Sequence, residues 1–337
     1  MGDVAALCGE SSRDVALVLA GVPMVEPDVR RRVVDAIDQT GYRPLEAIQA
    51  RLGRPLRLAI AFRSYRSDDP EANRFYTPVA SAISIACVQQ GASVRQATMN
   101  VSAQYELGRI PSELTDGSYD AAFILGSQLD AAAVEQIIEK ACPVVLVDGY
   151  SEGNALDSVV ADNVAGGKAA VEHLVAAGHR EIALLGTEPV CYPSIQDRRT
   201  GYAQAIEGHG LRAHFIDASY IHTEAVAVLG VDYIQRHPAV TALFGAIDLI
   251  TVSFMQLARD AGLRLPADLS LVGFDDIDLA SLVMPGLTTL AIDRPIMSRA
   301  AFALLVHRLE VPTAAPITAV TVPRLVERES VAVPRAR

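Results

Sequence analysis

Residues Leu56–Phe62, LRLAIAF, mark the point at which the period of the sequence changes. Before them the apolar residues recur at helical spacing. Within Pro27–Gln39, Val29, Val33, Val34 and Ile37 lie three and four residues apart, on one face of a helix. Shorter helices are predicted over Asp3–Cys8 and Ser12–Leu19, the second opened by Ser11 or Ser12, either of which can accept from the open first-turn amides. Pro27 stands at the first turn of the third helix and Gly41 just past its end, the usual asymmetry. From Leu56 onward, short apolar runs take over: AAFILG (121–126), CPVVLVDGY (142–150), VVADN (159–163), EIALLG (181–186), ALFGA (242–246) and LSLVGFDD (269–276). Between the earlier of them lie helical stretches at Thr77–Gln90, Ala131–Lys140 and Ala165–Ala177. Continuous apolar strands separated by helices predict parallel sheets covered on both faces. There are enough units for two such sheets, with a crossing near Ser158–Gly166 and a return near Pro285–Pro295. Ligands of such folds lie beyond the carboxyl ends of the strands, so the cleft between the two lobes is the expected pocket.

Composition narrows the function classes. A chain of 337 residues is long enough for two or three domains, each with its own core. Half of it is hydrophobic, yet no apolar run reaches the roughly 18 residues of a membrane span. No basic-then-apolar leader opens the sequence, so no membrane partner and a cytoplasmic location are expected, rather than an exported solute-binding protein. Cys8, Cys87, Cys142 and Cys191 stand singly, without the spacing of a zinc site or a disulfide framework, and read as buried thiols. The net charge of −11 argues against a broadly electrostatic nucleic-acid binder; any contact with DNA must be local. Enzyme signatures are missing. GGK at 166–168 lacks the spacing of a phosphate loop, Asp275 and Asp276 have no further metal-ligating neighbours in sequence, and Ser194 lacks a glycine elbow. No cofactor and no metal are expected.

The stretch DVAALCGESSRDVALVLAG (3–21), followed by RRRVVDAIDQTGYRP (30–44), resembles the helix-turn-helix head of the LacI/GalR family of bacterial transcription regulators. DNVAGGKAAVEHLVAAGHREIALLG, DRRTGY, LRLPADLSLVGFDDIDLA and PGLTTL resemble that family's effector-binding and dimerising core, so the resemblance covers essentially the whole chain. It implies an α/β protein with an N-terminal three-helix helix-turn-helix head and a two-lobed, periplasmic-binding-protein-like core with parallel sheets. The head would span 1–43, a hinge or linker 44–55 and the core 56–337, with lobes of approximately 56–160 plus 291–320 and 161–290 plus 321–337. It further implies a homodimeric regulator, with repression as the expected sense, that binds operator DNA under control of a small polar metabolite, a sugar or a related compound.

Individual residues follow from the match. Ser11, Ser12 and Arg13 occupy the N-terminal turn of the recognition helix, where side chains meet base edges and phosphates. Arg13 is either a bidentate guanine reader or a solvated surface arginine. Arg43, in GYRP, and Leu52 complete the implied DNA-binding set. In the family the segment after GYRP becomes helical only on DNA and inserts a leucine into the minor groove. Leu52 comes one residue later than that leucine, a rotation of about 100° on a helix, so the hinge either uses a shifted register or is a simple linker covered by aliphatic residues. Asp14, Ala16 and Leu17 replace the usual Thr, Ser and Arg of the recognition helix. Over Met1–Arg54, seven arginines and no lysine face eight acidic residues, a net charge of −1. These departures leave open a second reading, an effector-binding or protein-interacting core whose head no longer binds operator DNA.

In the core, Arg198 and Asp275 match positions that hold polar ligand groups, or else form an ion pair between the lobes. Phe75, Tyr76 and Tyr220 match pocket-lining rings, or are ordinary core. Ile247 stands where the family's AND motif carries its Asn, here AID. An alkane there cannot satisfy a ligand hydroxyl, which points to an effector less hydroxylated at that edge than a typical hexose.

Overall fold

The computed structural model describes residues 1–19, 25–64, 74–100, 110–114, 116–220 and 222–335. Three helices open the chain: α1 (Gly2–Cys8), α2 (Ser12–Leu19) and α3 (Pro27–Thr40). Val4, Val15 and Val33, one from each, are fully buried and form the small core that holds them together. Ser11 caps α2: its Oγ accepts from the Asp14 amide at 3.1 Å, and the Asp14 carboxylate accepts in return from the Ser11 amide and hydroxyl. This is a reciprocal capping box with Asp in the place of Glu. Asp14 is thus accounted for by helix initiation.

The segment read as hinge or linker is helical without DNA. The fourth helix, α4 (Pro44–Leu52), has Pro44 in its first turn and Gly53 in the left-handed region, φ 69°, at its end. Nine residues make a marginal helix in water, so packing must support it. Leu45 and Ile48 are buried, while Leu52 is 49% exposed on the other side.

Beyond Pro55 come β1 (Arg57–Ser64), α5 (Tyr76–Val88), β2 (Ser93–Asn100), β3 (Ala121–Leu125), β4 (Gln128–Leu129), α6 (Ala131–Glu139), β5 (Val144–Val147), β6 (Tyr150–Ser151) and β7 (Asp157–Ala161). Next are α7 (Asn163–Ala176), β8 (Ile182–Thr187), α8 (Pro193–Gly208), β9 (His214–Asp217), α9 (Thr223–Arg236), β10 (Ala242–Gly245), α10 (Asp248–Asp260), β11 (Ser270–Asp275), α11 (Asp278–Leu282) and β12 (Thr288–Ala291). The chain closes with α12 (Arg294–Glu310), β13 (Thr318–Thr321) and β14 (Arg324–Val326). Two compact units result, Met1–Val160 with Asp293–Thr321, and Ala161–Ile292 with Val322–Arg337.

Each unit is built on a six-stranded sheet, ordered β13-β7-β5-β3-β1-β2 in the first and β14-β12-β11-β10-β8-β9 in the second. The pairs among β1, β2, β3, β5 and β7, and among β8 to β12, are parallel; β14 runs antiparallel to β12. All residues of β3 and β5 are buried, as helices on both faces require. In the second unit a Cβ on Gly167 would strike the Arg198 carbonyl oxygen, and one on Gly201 the Val164 carbonyl oxygen. GGK therefore belongs to a close helix–helix contact between α7 and α8.

In the first unit Asp157, whose side chain is fully buried, accepts Nε and Nη2 of Arg308 at 2.7 and 3.0 Å and the Ile317 amide at 2.8 Å. One carboxylate joins β7, α12 and the approach to β13. Removing it strands a buried guanidinium, so in urea titration Asp157→Ala is expected to lose about 3–5 kcal/mol of stability. Removing Asp28 from its exposed pair with Arg31 should cost less than about 1 kcal/mol.

Candidate functional site

Arg198 sits within α8, pinned by the glycine contact with α7, and is 3% exposed. Each arm of its guanidinium has an acceptor: Nε donates to Asn163 Oδ1 at 3.0 Å, Nη1 to the Ala246 carbonyl at 2.7 Å, and Nη2 pairs with Asp275 Oδ1 at 2.9 Å. The group also lies 3.8 Å from the centre of the Phe274 ring, a cation–π stack. The expected carboxylate–guanidinium pair therefore exists, and it is internal to the second unit rather than a bridge between lobes. Ile247, half-buried, follows the carbonyl that Arg198 holds. Arg198, Asp275 and Ile247 are brought together at the carboxyl ends of β10 and β11, where parallel folds place their ligands. Tyr220 is buried after β9.

The turn after β11 is strained. Asp275 and Asp276 have φ values of 108° and 51°, conformations that cost a non-glycine residue about 1–3 kcal/mol each. Two contacts hold it. The Asp276 carboxylate pairs with Arg328 at 2.7 Å. The fully buried Asp248, at the start of α10, accepts the Ile277 amide at 3.0 Å and the Thr289 hydroxyl at 2.6 Å. Burial, reinforced by the charge of Asp275, pushes the Asp248 carboxyl well above the ordinary carboxylate range. Asp248 and Asn163 position the cluster, and sequence reading missed both as such. Their signal was present in AID and DNV, whose polar residues follow strands directly.

A second cluster lies in the first unit. The Tyr76 hydroxyl donates to Asp148 Oδ2 at 2.7 Å, both residues being buried. A Cβ on Gly126, which has φ 67°, would strike the Tyr76 ring, so glycine is required for the ring to lie over the end of β3. Phe75 meets Tyr76 edge to face at 5.1 Å. This cluster too stands at strand carboxyl ends, those of β3 and β5. Asp148 was not singled out in the sequence.

At the head, Ser11 and Arg13 are exposed and Ser12 half-buried. Arg31 pairs with Asp28, Arg32 with Glu10 and Arg43 with Glu46, so these cations are engaged within the head. Among the described residues no cluster of three or more His, Cys, Asp or Glu is placed to hold a metal, and no helix is long and apolar enough to cross a membrane.

A periplasmic binding protein-like domain model matches residues 171–331. The regulator reg1 of Streptomyces lividans is 30% identical, over 98% of this chain and 96% of its own length. The regulator CelR of Thermobifida fusca is 28% identical, over 97% of this chain and 96% of its own. A solved CelR–cellobiose complex superposes with a TM-score of 0.69 at 26% identity, covering 98% of both chains. The chain belongs to the LacI/GalR family. As a LacI/GalR protein it is a transcriptional regulator and not an enzyme. Its expected fold, a helix-turn-helix head with a two-lobed parallel α/β core, is the fold observed.

The state of Asp248 is open to titration. Its folded carboxyl binds a proton at pH values where the unfolded one, with an ordinary value of 3.8, has released it. Stability from this group is therefore present below that value and is lost as pH rises toward the folded one. Asp248→Asn keeps an acceptor for Ile277 and gains a donor for Thr289. Its thermal midpoint is expected to gain on the wild type progressively from about pH 4 to about pH 8.

Proposed function

We propose that this regulator is a cytoplasmic homodimeric repressor that binds operator DNA through α1–α3 and answers to a small polar effector of the sugar class. Arg198, Asp275, Ile247, Tyr220, Phe75 and Tyr76 are the residues assigned to the effector; Ser11, Ser12, Arg13, Arg43 and Leu52 are those assigned to DNA. The observation that carries the reading is one chain bearing both a capped helix-turn-helix head and a fully satisfied Arg198–Asp275 cluster at strand carboxyl ends. Similarity to regulators along nearly the whole chain supports it, as do similar structures described with cellobiose and with ribose. Exposed apolar side chains at Ile85 and Val88 on α5 support a partner subunit. Regulation then follows from linkage: the effector changes DNA affinity only through its differential preference for two conformations of the core.

The Ile247 side chain sets a chemical limit on the effector. A wild-type cluster with an alkane in place of the amide should bind an unmodified hexose weakly, and Ile247→Asn should tighten that binding in calorimetry. Tight hexose binding by the wild type would contradict this assignment. For DNA, a gel-shift titration against the chain's own upstream region should show sequence-dependent binding. Arg13→Ala should weaken it by about 1–3 kcal/mol and relax discrimination at one base position.

A further inference from the structure

In the first unit, the helix assigned to DNA reading packs against α12 of the core. Helix geometry identifies which side is covered. At 100° per residue, Val15 and Val18 point to the head's own core, and Ala16 lies on the far side together with Ser12 and Arg13. Ala16 is nonetheless only 2% exposed, so its cover comes from outside the three-helix head. Arg13 is close to α12 as well: burial holds the His307 imidazole below its ordinary range, and the charge of Arg13 is among those acting on it in the same direction.

Two further attachments fix the arrangement. The Tyr42 hydroxyl, at the end of the head, donates to Glu310 Oε1 at 2.7 Å on the last turn of α12. On the other side α4 is clamped to the segment after α5. The Leu45 amide donates to Gln90 Oε1 at 3.1 Å, Gln49 Nε2 donates to the Gln90 carbonyl at 2.7 Å, and Gln49 Oε1 accepts the Leu56 amide at 2.9 Å. Leu45 and Ile48 bury their side chains beneath this clamp.

We propose that the DNA-free regulator parks its head on its own core, with the base-reading face of α2 laid on α12, so that operator binding requires the head to leave α12. A duplex and α12 cannot occupy the face that carries Ser12, Arg13 and Ala16 at once. The dock is a self-inhibited state, and the apparent operator affinity is the intrinsic one reduced by the undocked fraction. It rests on the reading of α2 as the DNA-binding helix.

The test uses the full chain and two variants altered only on the core side, Gln90→Ala, which leaves the charge unchanged, and Glu310→Gln. In the DNA-free wild type, amides of 44–52 should exchange slowly, since a nine-residue helix has little protection unless it is packed. Both variants should speed that exchange by about threefold or more and bind the upstream operator about threefold or more tightly. Exchange at unstructured rates in the wild type overturns the dock. Faster exchange with unchanged operator affinity overturns the self-inhibition. Protection as expected, with no sequence-specific DNA binding by any of the proteins, overturns the regulator reading and the self-inhibition with it, and leaves α2 on α12 as a packing contact.

Discussion

A guanidinium buried as deeply as that of Arg198 survives only if every arm finds an acceptor, because an unsatisfied cation in a protein interior costs several kcal/mol. That requirement organises the second unit. It draws the Asn163 side chain from the start of α7, a carbonyl from the end of β10 and a carboxylate from the end of β11 to one point. The glycines of α7 and α8 let the helices approach closely enough for the reach. The strained Asp275–Asp276 turn is the consequence: the carboxylate is delivered at the cost of backbone conformation, and Asp248 and Arg328 hold it there.

Such a cluster is pre-organised. Its polar groups are fixed by one another and by Phe274, so a ligand meeting them does not have to order them first. The first unit repeats the principle with different chemistry. Tyr76 and Asp148 hold each other at the ends of β3 and β5, and Gly126 leaves room for the ring.

The head follows another logic. Its net charge of −1 and its internal ion pairs give it little general attraction for phosphate. A weakly basic head has a small electrostatic reason to stay near DNA, and correspondingly little to oppose resting on its own core. Tyr42 and the Gln49–Gln90 clamp supply contacts for that rest, and they explain why the 44–52 helix forms without DNA.

Periodicity alone determined much of this protein. The helical spacing of Val29, Val33 and Ile37 located α3, and the apolar runs AAFIL and VVLV located strands buried on both faces, because burial on one side or two leaves a period in the chain. Arg198 and Asp275 were legible as a pair because their residue types have few other uses when buried. What only the tertiary structure decided were the relations between segments distant in sequence. Asp248 supports Ile277 and Thr289, Asp157 holds Arg308 and Ile317, and Gln90 clamps Leu45. The 44–52 segment read as a hinge or linker because its helix draws stability from residues 41 to 45 positions away. Local sequence records which face of an element is apolar, whereas the partner of a buried polar group is chosen by three-dimensional proximity, which leaves no period to read.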